Sequence, residues 1–121
     1  MQAHANDLRA EVQEQWNTLS ATPLPDEAGL DAFVHQIVED WRAAPLSNAV
    51  HAVAEYAEQV TRAPGACTEE GIRRLHDAGW CDTSIHDAVQ VVAYFNYINR
   101  VAEGLGVEPQ KELPHWGPAR L

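Results

Sequence analysis

The chain has 121 residues, of which 18 are acidic and 8 basic, and its formal charge of −10 and pI near 4.8 mean that a nucleic-acid backbone or an anionic membrane surface would repel it. With 45% apolar and 21% charged residues it has the make-up of a chain that folds, at a length that corresponds to one domain. No apolar run reaches the ~18–20 residues of a membrane span, and the opening "MQAHANDLRAEVQEQWNTLS" lacks the basic-then-apolar order of a secretory signal, so a cytoplasmic location is expected.

Helical periodicity runs the length of the chain, with Pro and Gly at the joints and no alternating run to suggest a strand, which predicts an all-α protein of about five helices. Residues 5 to 19 read as the first, with Leu8, Val12, Trp16 and Leu19 in one stripe. A second runs from Glu27 to Ala43 on Leu30, Phe33, Val34, Ile37, Val38 and Trp41, and Pro45 forbids its continuation. Ser47 is the expected cap of a third helix that ends near Thr61 and turns Val50, Val53, Ala54, Ala57 and Val60 inward. Thr68 opens a short fourth helix, closed near Ala78 by Gly79. Asp82 or Ser84 is expected to cap the last helix, which continues to about Glu103 before Gly104 and Gly106. The tail "VEPQKELPHWGPARL" is expected to be extended, a loose tail being the commoner arrangement and packing on a neighbouring subunit through Leu113 and Trp116 the alternative.

The last helix is apolar on nearly all sides from Ala88 to Phe95, interrupted only by Gln90. A helix of that kind is normally surrounded, and five short helices do not enclose one of their own completely. A homo-oligomer is therefore expected.

Cys67 and Cys81 lie 14 apart with no C-x-x-C, a spacing that suits free thiols better than a disulfide scaffold or a zinc ribbon. Cys67 precedes a helix start, where the dipole favours a thiolate, while Glu69 and Glu70 oppose it. Six histidines form no compact metal-binding spacing, so neither a metal nor a cofactor is called for. His51 and Glu55 share one face four residues apart, the arrangement of an imidazole oriented by a carboxylate, which would serve a cofactor-free acid–base enzyme of decarboxylase or isomerase type.

The stretch "VVAYFNYINR" places two amides, Asn96 and Asn99, three apart before Arg100. A buried amide without a partner costs about 1–3 kcal/mol, so these residues have a purpose. In one reading they bridge helices, with Tyr56 close by and Arg100 pairing with Glu58 or Glu103. In the other, Tyr94, Asn96, Tyr97 and Asn99 orient a small polar ligand, with Tyr56 beside them and Arg100 binding an anionic group.

Residues 42 to 109 also resemble a known family. "PLS" before the third helix, "YAEQVTRAP" closing it, "TEEGIRRLHDAGW" and above all "VVAYFNYINRVAEGLGVEP" are similar to the C-terminal half of peroxidase-related proteins in the AhpD-like, carboxymuconolactone decarboxylase superfamily. The resemblance implies one all-α AhpD-like domain, divergent over residues 1–41 and ending in a tail at 110–121, that assembles into oligomers and is linked to peroxide or thiol chemistry. Active members carry a glutamate, then twelve residues on a C-x-x-C, and a histidine four residues after the second cysteine. Aligning Cys67 with the first cysteine puts Glu55 at the glutamate, Glu70 at the second cysteine and Arg74 at the histidine. A degenerate redox centre is thus implied, in which turnover through an intramolecular disulfide is disfavoured. A third expectation is a non-catalytic partner that completes a larger assembly.

Overall fold

A computed structural model describes residues 5–20 and 22–108. The described residues form six α-helices and two 3₁₀ turns with no strand, so the all-α expectation holds. None of these helices is long and apolar enough to cross a membrane. The expected extended tail, with Leu113 and Trp116, falls outside the described residues. The chain divides into two compact units that meet between Ser47 and Asn48.

The first unit contains α1 (Ala5–Glu14), α2 (Trp16–Leu19) and α3 (Glu27–Asp40), followed by a 3₁₀ turn at Trp41–Ala43. The single helix expected over residues 5 to 19 is interrupted at Gln15. The helix restarts at Trp16, whose buried ring meets Phe33 edge-on with centroids 4.7 Å apart, and whose Nε1–H donates to the Thr22 carbonyl at 2.7 Å. That indole bond satisfies the polar edge of an otherwise apolar side chain. Val12, Trp16, Leu30, Phe33, Val34 and Ala44 form the core, edged by Leu8, Leu19, Ile37 and Val38. Each large member is worth roughly 1.5–3 kcal/mol in buried surface.

The ends of these elements follow from local chemistry. Asp26 caps α3 by accepting the Gly29 N–H at 2.9 Å. Asp40 accepts the Arg42 N–H at 3.2 Å, which tightens the last turn to a 3₁₀ helix ahead of Pro45 and ends α3 three residues before Ala43. Buried Ser20 donates to the Pro45 carbonyl at 2.7 Å, and Ser47 donates from its N–H to Leu19 at 2.7 Å and from its hydroxyl to Thr18 at 3.0 Å. Together they fix the exit of this unit.

The second unit contains α4 (Asn48–Arg62), a 3₁₀ turn (Pro64–Ala66), α5 (Glu69–Asp77) and α6 (Asp82–Gly104). Val53, Ala57 and Val60 of α4 face Leu75 of α5 and Ile85, Ala88, Val89 and Val92 of α6. The stripe read on the third helix is therefore its inward face. Thr68 caps α5 as expected. At its other end Gly79 takes φ +103°, so that its own N–H reaches His76 at 2.9 Å and the Trp80 N–H reaches Leu75 at 3.0 Å. The Trp80 indole then donates to the Ala49 carbonyl at 2.8 Å and ties the α5–α6 junction to the first turn of α4.

One expectation for α6 changes. Its cap is Cys81, not Asp82 or Ser84: Asp82 is the first helical residue, and the Ser84 hydroxyl reaches back to accept the Cys81 N–H at 3.0 Å. This chain alone leaves much of α6 uncovered, in line with the premise that its own helices do not enclose it: Ile85 is its one buried residue, while Val91, Tyr94, Ile98 and Val101 are exposed.

Candidate functional site

The second unit holds a small cavity of about 70 Å³ between α4 and α5. Ala52, Glu55, Tyr56 and Gln59 line it from α4, and Gly71, Arg74 and Leu75 from α5. Two of these seven carry opposite charges, Glu55 on one wall and Arg74 on the other. Both helices present side chains here because each puts its apolar stripe toward α6 and turns the adjoining face to its neighbour.

Tyr56 connects the cavity to Cys67. Its half-buried phenol is raised above the ordinary value of 10.0, first by burial, then by a hydrogen-bonding interaction with the Cys67 sulfur, and last by the negative charge that sulfur carries when ionised. A phenol raised in this way stays protonated at neutral pH. Gly71 makes room for the ring: a Cβ there would lie 2.9 Å from Tyr56 Cε2 and 3.4 Å from Cδ2. Gln59 holds the loop that carries Cys67, its Nε2–H donating to the Ala66 carbonyl at 3.0 Å, and the Cys67 N–H closes the 3₁₀ turn on Pro64 at 3.2 Å.

Glu70 completes the group from outside. One of its oxygens accepts from Arg73 Nη1 at 2.9 Å, and the other lies 3.9 Å from Arg74 Nε. The pairing leaves the Arg74 guanidinium on the rim with partial neutralisation; exposed pairs of this kind are worth well under ~1 kcal/mol.

The remaining candidates lie elsewhere. His51 is half-buried one turn ahead of Glu55 and does not line the cavity. Asn96 donates through Nδ2 to Thr61 Oγ1 at 3.1 Å, and Arg100 donates to the Asn96 carbonyl and to the Thr61 carbonyl, both at 3.3 Å. These residues bridge α6 to the last turn of α4, where an unsatisfied carbonyl is available. Arg100 thus uses the Thr61 carbonyl, while Glu58 pairs with Arg62 at 3.2 Å. Tyr94 and Asn99 are exposed on α6, and neither lines the cavity.

Cys81 is a free, exposed thiol, and Cys67 is free and half-buried. Ser84 sets the chemistry of Cys81. Its hydroxyl lies 3.3 Å from Sγ, and that contact, with the amides at the start of α6, holds the thiol below its ordinary value of 9.0. No cluster of three metal-binding side chains occurs among the described residues. A wider hollow of about 350 Å³ in the first unit, walled by Trp16, Pro23, Phe33, Gln36 and Pro45, contains no acid, base or thiol.

Sequence reasoning missed Gly71 and Gln59. Gly71 has a faint signal, a helix-disfavouring residue in the first turn of a short helix. Gln59 has none, since the carbonyl it holds belongs to a loop seven residues away. The chemistry defined by this site is that of a thiol flanked by a phenol, beside a cavity with one carboxylate and one guanidinium. No family model, no curated protein and no solved structure matches the chain.

Proposed function

We propose that the chain is an AhpD-like, peroxidase-related protein of oxidoreductase type whose degenerate centre works through one thiol, Cys67. The observation that carries this reading is the Tyr56 phenol, which lines the cavity with Glu55 and Arg74 and interacts with the Cys67 sulfur. Of the positions implied by the family resemblance, Glu55 and Arg74 line the cavity, Glu70 lies 3.9 Å from Arg74 outside it, and Cys67 relates to it through Tyr56, which supports this reading. The cavity's volume suits a peroxide group.

The chemistry follows from these roles. The Cys67 thiolate attacks the outer oxygen of a hydroperoxide, so that an S–O bond forms as the O–O bond breaks. Glu55 takes the thiol proton and delivers it to the departing oxygen, which leaves as water or an alcohol. Arg74 stabilises negative charge on that oxygen, and Tyr56 donates to sulfur before attack. Cys67 loses two electrons and the peroxide gains them. With no second cysteine in a C-x-x-C, a low-molecular-weight thiol condenses with the sulfenic acid and releases water. A second equivalent displaces the mixed disulfide and restores Cys67.

The test is peroxide consumption with a small thiol as reductant, comparing the native chain with Cys67→Ser, Cys81→Ser and Tyr56→Phe. Turnover is expected to vanish in Cys67→Ser, fall several-fold in Tyr56→Phe and persist in Cys81→Ser. Equal rates in the native chain and Cys67→Ser would overturn the proposal.

A further inference from the structure

Both ring nitrogens of His76 meet oxygens that can only accept. Gly79, at φ +103°, folds the chain back over the end of α5. The Trp80 carbonyl thereby comes to 2.9 Å from His76 Nδ1, while Asp82, the first residue of α6, sets Oδ1 2.8 Å from Nε2. A carbonyl and an ionised carboxylate each need a proton from their partner, and a neutral imidazole carries one N–H where an imidazolium carries two. Only the charged ring makes both bonds. Trp80 and Asp82 are the chain neighbours of Cys81, the exposed thiol, so the charged ring holds the chain on either side of it.

We propose that His76 is a proton-operated latch on the turn between α5 and α6: as imidazolium it clasps both sides of Cys81, and on losing its proton it keeps Trp80 and releases Asp82. The latch is independent of the chemistry proposed for Cys67.

Exposure decides which bond is given up. The Asp82 side chain is 92% exposed, so water takes the place of the ring at its carboxylate with little loss. Trp80 is half-buried and fixed by two other bonds, from its indole to the Ala49 carbonyl at 2.8 Å and from its N–H to the Leu75 carbonyl at 3.0 Å. Its carbonyl cannot turn to water without breaking them, and leaving it unbonded costs more. The remaining proton therefore stays on Nδ1. Nε2 then presents a lone pair to a carboxylate, and the two repel.

The other ionisable groups on the three packed helices leave Asp82 as the ion-pair partner of His76 among the described residues. On α6, His86 lies 3.8 Å from Asp87. On α5, Glu70 pairs with Arg73 and Arg74, and Asp77 adjoins His76 in the chain. On α4, whose first turn receives the Trp80 indole, they are His51, Glu55, Tyr56 and Glu58; Glu55 and Tyr56 line the cavity, and Glu58 pairs with Arg62.

The start of α6 is what the latch controls. There the Cys81 N–H donates to Ser84 Oγ at 3.0 Å and the Ile85 N–H to the Cys81 carbonyl at 2.9 Å. With Asp82 released, the turn is held through Trp80 alone, and these two amides open more often. Imidazoles change charge between about pH 5 and 8, so the latch closes as the medium acidifies.

The test has two readouts on the full chain. Nitrogen-15 spectra of the imidazole rings, with the His76 signals assigned by their loss in His76→Gln, report which nitrogen of each neutral ring holds the proton. His76 is expected as the Nδ1–H form above about pH 8. A neutral His76 protonated on Nε2, or an even mixture of the two forms, would overturn the proposal.

The second readout is amide hydrogen exchange at Cys81 and Ile85, corrected for the intrinsic effect of pH. Between about pH 5 and 8, protection in the native chain is expected to fall about two- to five-fold, the scale of one exposed charged pair. Asp82→Asn gives a side chain that accepts from the charged ring and donates to Nε2 of the neutral one, so its latch stays closed and its protection is expected to hold constant. The Cys81 thiol titrates in both proteins and cancels in the comparison. No fall in the native chain, or an equal fall in Asp82→Asn, would overturn the proposal. Because Asp82→Asn leaves Cys67, Tyr56, Glu55 and Arg74 untouched, failure of the latch and failure of the thiol chemistry are measured separately.

Discussion

Replacing Gly71 by alanine separates two effects that usually travel together. In a helix, Gly to Ala gains up to about 1 kcal/mol, somewhat less in a first turn. The new Cβ would lie 2.9 Å from Tyr56 Cε2, closer than carbon atoms approach, so the ring has to swing away. Turning the ring off its preferred rotamer costs about 0.5–1.5 kcal/mol, which cancels most of the gain. The expected thermal midpoint is therefore within a few degrees of the native one. The ring's displacement is visible elsewhere: moved from Cys67, Tyr56 loses the interaction and the nearby charge that help raise its phenol, and it titrates closer to 10.0. In a background of Tyr94→Phe and Tyr97→Phe, where Tyr56 is the one remaining tyrosine, phenolate absorbance reads this directly. A Gly71→Ala protein stabilised by the full ~1 kcal/mol, with Tyr56 titrating as before, would refute the packing of that ring on Gly71.

Other consequences are open to measurement. A phenol whose folded pKa is raised contributes stability that is complete below 10.0 and is lost as the pH rises through the folded value. Urea unfolding of the native chain should therefore fall off above pH 10.0 more steeply than that of Tyr56→Phe; parallel curves would contradict this. Ser84→Ala removes the hydroxyl that most lowers the Cys81 thiol, so alkylation of Cys81 near neutral pH should slow several-fold, and an unchanged rate would mean that the amides alone set it. Asn96→Ala should cost about 1 kcal/mol, and a double-mutant cycle with Thr61→Val should be non-additive because the two side chains share one bond. Additive losses would show that the bond contributes nothing. Trp80→Phe keeps the ring but loses the bond to Ala49, with an expected cost of about 1 kcal/mol in urea unfolding; no loss would mean that junction is held by packing alone.

Much of the architecture was legible because it is written locally. Thr68 and Gly79 bound α5 through bonds to residues within five positions, so their identities suffice to place the helix. The same holds for Gly106, whose φ of +67° lets Val107 bond back to Ala102. The break at Gln15 was not legible, since it accompanies an indole bond to Thr22 and a ring contact with Phe33 that periodicity does not contain. The cap at Cys81 was hidden for a different reason: the residue that does the work is Ser84, reaching backward. Within the site, spacing placed Glu55 on a face and Cys67 before a helix. Only the packing of α5 on α4 joins them through Tyr56, and Gly71, which permits it, has no side chain to announce itself. Apolar residues all round α6 are legible as a pattern, but periodicity does not say which of its faces its own chain covers; Ile85 is buried while Val91, Tyr94 and Ile98 are exposed.

The most direct test of the central claim is site-resolved trapping of sulfenic acid with dimedone after one equivalent of hydrogen peroxide, followed by peptide mass spectrometry. The account predicts that the adduct forms first on Cys67, although Cys81 is the more exposed thiol, and that Tyr56→Phe abolishes this preference. An adduct that forms only on Cys81, or equally on both with Tyr56 intact, would contradict it.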